Sequence, residues 1–169
     1  GIAGSMQLSG SLLEPTLDVA LQGQDLLAGT GADSEPLDVS ALLRFVPNTG
    51  ELTGRAEATR SGRSLVSARL EGSLTNDAGN PYVFAAWRAG ELRAAAMLND
   101  VPLELWPAAA REHAQARLYG SVAYERRGAE EHQRAQIEIG GLSVNGQPLG
   151  SGRLALDSSP GGSFAELQL

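Results

Sequence analysis

The side chains that could carry out chemistry are few in this sequence, and they stand apart from one another. The two histidines, His113 and His132, have glutamates as their ionisable neighbours. A metal site needs several ligands that converge from defined spacings, and neither an HxH nor an HExxH pattern occurs. The sequence therefore predicts that both histidines lie on a solvated surface, and it predicts no metal site.

Nucleophiles and acids also lack the partners that catalysis requires. Ser61–Ser64 (Ser-Gly-Arg-Ser) is typical of a turn, and the Gly-x-Ser-x-Gly pattern is absent. The glycines of Gly146–Gly152 resemble a phosphate loop only superficially, because no helix N-terminus follows to receive an anion. Carboxylates are scattered singly, and none forms an obvious acid–base pair. We predict that the protein is not an enzyme and that it uses no cofactor.

Charge and composition exclude further classes. The net charge of −7 is spread evenly, and all 13 cationic side chains are arginines. No basic patch for nucleic acid or for anionic lipid headgroups is present. Cysteine is absent, which excludes disulfides and thiolate metal sites. No run approaches the ~20 apolar residues of a membrane-spanning helix.

Alternation of apolar and polar residues dominates the chain. Leu17–Leu21 and Leu37–Phe45 follow the period of two that is typical of half-buried strands. Turn signals separate such stretches: Pro47–Gly50, Ser61–Arg63 and Asn145-Gly146, the last being the strongest hairpin signal. About a dozen strands at this regular spacing predict an all-β fold. We expect Gln22–Pro36 to form mostly a loop, and we expect Ala89-Gly90 to be a tight connection.

In the stretch Glu91–Tyr124, a helix-prone segment stands between two predicted strands, Leu92–Leu98 and Leu118–Tyr124. Pro107 suits the first turn of a helix, and Ala108–Arg117 consists largely of strong helix formers. The sequence thus predicts one short helix near residues 107–117. Because its apolar stripe is thin, we expect the helix to cover one end of the sheet, with Trp106 substantially buried.

Side chains two residues apart on a strand point to the same face, so the apolar positions should form one continuous surface. These candidate positions are Leu17, Val19, Leu21, Leu92, Ala94, Ala96, Leu98, Leu118, Val122, Ile137, Ile139, Leu154, Leu156, Leu167 and Leu169. A β-sandwich would bury two such faces against each other. A single sheet folded over its own apolar face would leave a groove, which many Ala and Leu and few aromatic residues would line without filling it.

Several short sequence motifs resemble those of a known family. Gly10–Leu21 (GSLLEPTLDVAL) resembles the GxLxxPxLxxxL phrase of the TamB/AsmA-like family. Val101–Leu105 (VPLEL) resembles the family's LPL segments, and Gly146–Leu169 is similar to its closing strand pairs. The resemblance is a general pattern of residue types that extends over most of residues 7–169. The polar loop 22–36 departs from it.

The resemblance implies an elongated, curved sheet folded over an apolar groove, a β-taco. It implies a segment of a longer protein that is anchored in the inner membrane, crosses the periplasm and meets an Omp85-type barrel in the outer membrane. Such proteins carry phospholipid between the two membranes and are tied to the assembly of outer-membrane proteins. Residues 7–169 would form one β-rich segment, and residues 1–6 (GIAGSM) resemble a cloning remnant.

Two other readings remain open. A structural or adhesive β-rich segment of a cell-surface protein would share the strand count and the acidic charge, but it would have a closed core. A small hydrolase or carbohydrate-binding module would need clustered acids or an aromatic platform. Trp87 and Trp106 are too far apart in sequence to suggest such a platform.

Overall fold

The computed structural model, which describes residues 1–11, 14–26, 36–76, 87–105 and 113–169, shows one open antiparallel sheet of ten strands. The order of the strands across the sheet is their order along the chain. The all-β prediction is confirmed, and the described residues form ten strands, where about a dozen were expected for the whole chain. The strands are β1 (Ile2–Gly10), β2 (Pro15–Leu26), β3 (Leu37–Val46), β4 (Glu51–Arg60), β5 (Arg63–Asn76), β6 (Trp87–Pro102), β7 (Ala114–Arg127), β8 (Glu130–Val144), β9 (Gln147–Ser159) and β10 (Gly162–Gln168).

The predicted turns join the strands where the sequence places them. Pro47–Gly50 connects β3 to β4, and Ser61-Gly62 connects β4 to β5. Asn145 and Gly146 connect β8 to β9 with φ angles of 52° and 76°. Two consecutive positive φ angles match the right-handed twist of the flanking strands, and Asn and Gly tolerate them best.

The helix prediction is wrong for residues 114–117, since β7 already begins at Ala114. Ala114 and Ala116 point inward while Gln115 and Arg117 are exposed, which is the period of a strand. Pairing of Arg117 with Pro102 on one side and with Gly140 on the other outweighs the helix propensity of this stretch. Residues 106–112, including Trp106 and Pro107, lie outside the described residues.

Two further expectations are corrected. Ala89-Gly90 is no connection, because β6 runs unbroken from Trp87 to Pro102. The strand accommodates Gly90 through a register shift in its pairing with Gly72 and Leu74 of β5. The expected loop over 22–36 begins later than predicted, because β2 continues to Leu26. Ile2–Met6 pair with Gly23–Val19 of β2. Their origin as a cloning remnant stays a prediction.

The main cluster of buried hydrophobic residues, called the core here, is small and lies near one end of the strands, while Phe45 is buried near the other end. Leu65, Leu98, Val101 and Leu118 form the core, and Val101 is only 2% exposed. A 3₁₀ turn, Leu103–Leu105, follows β6, and both of its leucines pack against this cluster. Within the described ranges this turn is the only helical element, and no helix there has the length and apolarity to cross a membrane.

Candidate functional site

The register of the ten strands brings fourteen of the fifteen predicted apolar residues to one side of the sheet, here called the apolar face. Leu169 follows the last strand, and its Cδ2 atom lies beside Gly152 on the same face. Directly paired residues of antiparallel strands share a face. Ala94 pairs with Leu70 and Tyr124, and the rows continue outward in both directions. One such row runs across nine strands: Val19, Leu43, Gly54, Leu70, Ala94, Tyr124, Gln133, Ser158 and Ser163. The next two rows toward the core, through Ala96 and Leu98, are more apolar.

The apolar face also contains residues that the sequence analysis did not select as site residues. Strands β1, β3, β4 and β5 add a further set through their pairing with β2 and β6. The alternation in Leu37–Phe45 is a signal that could have identified part of this set. The added residues are Ile2, Met6, Leu8, Val39, Ala41, Leu43, Phe45, Leu52, Ala56, Ala58, Val66, Ala68 and Leu70.

Much of the apolar face is accessible to solvent. Leu21, in the second strand, is 51% exposed, and Met6 in the first strand is 73% exposed. Leu43, Val122 and Leu167 are also exposed, whereas Leu98 and Leu118 are buried in the core. Among the described residues, no second layer of secondary structure covers the face beyond the 3₁₀ turn at its one end.

A cavity of about 410 Å³ lies on the apolar face and crosses the strands from β2 to β7. This volume falls within the range of small-molecule sites, about 300–1,000 Å³. Gly54 forms part of its floor, where a Cβ atom would stand 3.2 Å from both Leu43 Cδ1 and Leu70 Cβ. The cavity is lined by Val19, Leu21, Ala41, Leu42, Leu43, Gly54, Arg55, Ala56, Ala68, Arg69, Leu70, Ala94, Ala95, Ala96, Val122 and Tyr124.

On β7 to β10 the end of the apolar face opposite the core is polar, whereas on β2 to β4 the same end carries Leu17, Phe45 and Leu52. Arg126 pairs with Leu92 of β6 on one side and with Glu131 of β8 on the other. Its Nε donates a hydrogen bond of 3.2 Å to the carbonyl oxygen of Gly128. The hydroxyls of Ser158 and Ser163 lie 2.8 Å apart. On β7 to β10 the apolar face therefore has a wet boundary of polar residues at one end of the strands, and at the other end it packs into the core.

The opposite side of the sheet, here called the polar face, carries ion pairs between directly paired residues. Arg44 Nε lies 2.8 Å from Asp18 Oδ1, and Arg93 Nε lies 3.1 Å from Glu125 Oε1. These hydrogen bonds lower the pKa of Asp18 and of Glu125 below their usual values. Two more such pairs are Arg134–Asp157 and Arg153–Glu138. Exposed pairs of this kind contribute little to stability, but they make this the charged side of the sheet.

A bulge between Leu98 and Val101 places a polar contact on the polar face. Asp100 has a φ of 54° and accepts a hydrogen bond of 2.7 Å from the Tyr119 hydroxyl. This bond, with a smaller effect of burial, raises the pKa of Tyr119 above its usual value. The bulge also turns the Val101 side chain inward, where it is part of the core.

Neither histidine belongs to a ligand cluster. His113 is an exposed turn residue with a φ of 48°, just before β7. His132 is exposed on β8, directly opposite Glu125. In the part of the chain that the structure describes, no three His, Asp or Glu side chains are grouped to hold a metal ion.

Comparison with known proteins leaves the chain without an assigned family. No protein-family model, no curated protein and no solved structure matches it. The functional interpretation therefore depends on the chain's own geometry, above all on an accessible apolar face opposite a charged one.

Proposed function

We propose that this chain is a segment of a longer periplasmic protein, anchored in the inner membrane, whose apolar face carries phospholipid between the inner and outer membranes. The observation that carries the proposal is the accessible apolar face. A sheet with one apolar face normally buries it against a second layer. Here exposed residues such as Leu21 and Val122 lie within the sheet, away from its edges.

Acyl chains are suitable occupants of such a surface. Burying one CH₂ group gains roughly 0.8 kcal/mol, so a chain of ordinary length gains a large total from unspecific contact. Small side chains such as Ala68, Ala94 and Ala96 leave room for this contact. The wet boundary near Arg126 would let a headgroup stay hydrated while the chain lies on the apolar face.

The proposal includes curvature of the sheet over its apolar face, as in a β-taco. The cavity of about 410 Å³ supports it, because side chains from six consecutive strands line that cavity. A path that crosses the strands allows a lipid to pass from one strand to the next. Transfer would be passive, with no reaction and no cofactor.

The wider assignment depends on the family resemblance. Under this proposal the full-length protein meets an Omp85-type barrel in the outer membrane, and it also takes part in the assembly of outer-membrane proteins. A structural or adhesive segment of a cell-surface protein is the alternative. It predicts that no lipid accompanies the purified protein.

The test is the binding of a fluorescent fatty-acid or phospholipid probe, together with native mass spectrometry for co-purified phospholipid. Ala94→Arg and Ile137→Arg should abolish binding, because a desolvated and unpaired charge costs several kcal/mol. Ala123→Arg is the matched control, since Ala123 lies between Val122 and Tyr124 but faces the polar side. It should bind the probe as the wild type does.

Circular dichroism and a melting curve must first show that each variant is folded. If the folded Ala94→Arg and Ile137→Arg proteins bind the probe as tightly as Ala123→Arg, the apolar face does not carry lipid. Absence of both probe binding and co-purified lipid in the wild type would favour the structural alternative.

A further inference from the structure

Two arginines stand directly opposite each other on the polar face. Arg55 of β4 pairs with Arg69 of β5, and both side chains are exposed. Cβ atoms of directly opposed residues lie about 4.5–5.5 Å apart, so the two guanidinium groups can reach one common point. Like charges in this position destabilise a sheet.

This pair differs from the other cross-strand arginines of the polar face. Arg44, Arg93, Arg134 and Arg153 each stand opposite a carboxylate and form an ion pair with it. In the described part of the chain, neither Arg55 nor Arg69 forms a hydrogen bond or an ion pair with another side chain. Their charges are therefore available to a ligand.

The surroundings of the arginine pair leave space and supply hydrogen-bonding groups. A cavity of about 850 Å³ on the polar face is lined by both arginines, by Ser40, Ser67 and Ala95, and by the carboxylate residue Glu57. The small side chain of Ala95 stands beside Arg69 in the same row. A second cavity, of about 540 Å³, continues from Arg69 toward β9.

The arginine pair belongs to a local repeat. Thr53–Glu57 (TGRAE) and Ser67–Glu71 (SARLE) share the pattern hydroxyl-x-Arg-x-Glu, and the antiparallel register places the two arginines at its centre. Glu57 stands opposite Ser67, and Glu71 stands opposite Thr53. The two acids thus lie at opposite diagonals, and each arginine is flanked along its strand by a hydroxyl residue on one side and by a glutamate on the other.

We propose that Arg55 and Arg69 form a binding site for a phosphate-type oxyanion on the polar face. Guanidinium groups present forked donors that match phosphate oxygens in a bidentate manner. One dianion between the two arginines would neutralise both and remove their mutual repulsion. The two glutamates favour a compact anion that touches the arginines alone. This site lies on the other side of the sheet from the apolar face. The proposal of an anion site is therefore independent of the proposal that the apolar face carries lipid.

The experiment uses the whole chain and inorganic phosphate, added at constant ionic strength by replacing chloride. NMR of the arginine Nε–Hε groups should show saturable shifts at Arg55 and Arg69. Arg69→Gln should weaken the association about tenfold or more, the loss expected for one charge-assisted contact. Arg69→Lys keeps the charge but loses the fork, so it should weaken binding less. The matched control, Arg44→Gln, removes an arginine that is already paired with Asp18 and should leave binding unchanged.

A phosphate group could come from solution or from a lipid headgroup. Flotation with vesicles that contain a phosphatidic acid, compared for the wild type and Arg69→Gln, separates these sources. A loss of flotation in Arg69→Gln assigns a headgroup, and equal flotation with weakened phosphate binding assigns a soluble anion. Shifts that do not saturate, or that are equal at all exposed arginines, mean an adventitious ion only and overturn the proposal. So does a folded Arg69→Gln variant that binds phosphate as the wild type does.

Discussion

Gly120 of β7 and Gln136 of β8 approach each other so closely that a Cβ atom on Gly120 would overlap the carbonyl oxygen of Gln136. Gly120 also has a φ of 140°, a region that other residues rarely occupy. It lies on the apolar face between Leu98 and Ile137. The close packing of β7 against β8 beside the core therefore depends on the absence of a side chain at this position.

We expect Gly120→Ala to destabilise the protein by at least ~2 kcal/mol, because it combines steric overlap with backbone strain. Gly140→Ala is the control, since a Cβ there would meet its nearest atom at 3.7 Å and φ is not positive. Chemical denaturation followed by circular dichroism measures both. Equal stabilities of the two variants would show that β7 and β8 can separate without cost.

Leu98→Ala should cost about 2–5 kcal/mol, as is usual for a leucine in a packed core. Leu98 is 9% exposed and lies against Leu65, Val101 and Leu118. Leu21→Ala removes the same atoms from the exposed part of the apolar face, and it should cost less than ~1 kcal/mol. Denaturation midpoints of the lipid-free protein check the contrast. Similar losses would mean that the core is not confined to one end of the strands.

The ion pair between Arg44 and Asp18 should make stability depend on pH in one direction. The hydrogen bond from Arg44 holds the pKa of Asp18 below its usual value of 3.8. The stabilisation is thus present above the usual value and is lost as the pH falls through the lowered pKa. In Arg44→Gln the pKa of Asp18 should rise toward 3.8. NMR titration of the carboxyl carbon measures it, and an unchanged pKa would contradict the pairing.

The sequence predicts the faces of the sheet well, because the period of two is local information. Each turn, such as Asn145-Gly146, also has its own local signature. These two signals suffice to predict that Leu17 of β2 and Leu167 of β10, which lie near opposite edges of the sheet, share the same face. They do not predict how much of that face is shielded from solvent, because this depends on which other parts of the protein pack against it.

Prediction from the sequence fails where the pairing of strands competes with the helix propensity of the residues. Ala114 and Arg117 belong to a stretch of helix formers, yet Ala114 pairs with Val144 of β8, and Arg117 pairs with Pro102 of β6 and Gly140 of β8, so the stretch forms a strand. The opposed arginines were missed for another reason. A register shift between Ala58 and Thr59 leaves Leu65 as an extra residue on β5. Without that bulge Arg55 would stand opposite Ala68, so the pairing of Arg55 with Arg69 cannot be obtained by counting from the turn.

The strict agreement between sequence order and sheet order has a consequence for how the chain folds and opens. Each strand contacts the strands next to it in the chain, so stability is propagated from neighbour to neighbour as in a linear array. Such a meander can assemble one hairpin at a time, without the slow closure of long loops. Amide exchange should be fastest in the outermost strands β1 and β10 and slowest in β6 and β7, where the core anchors the centre of the array.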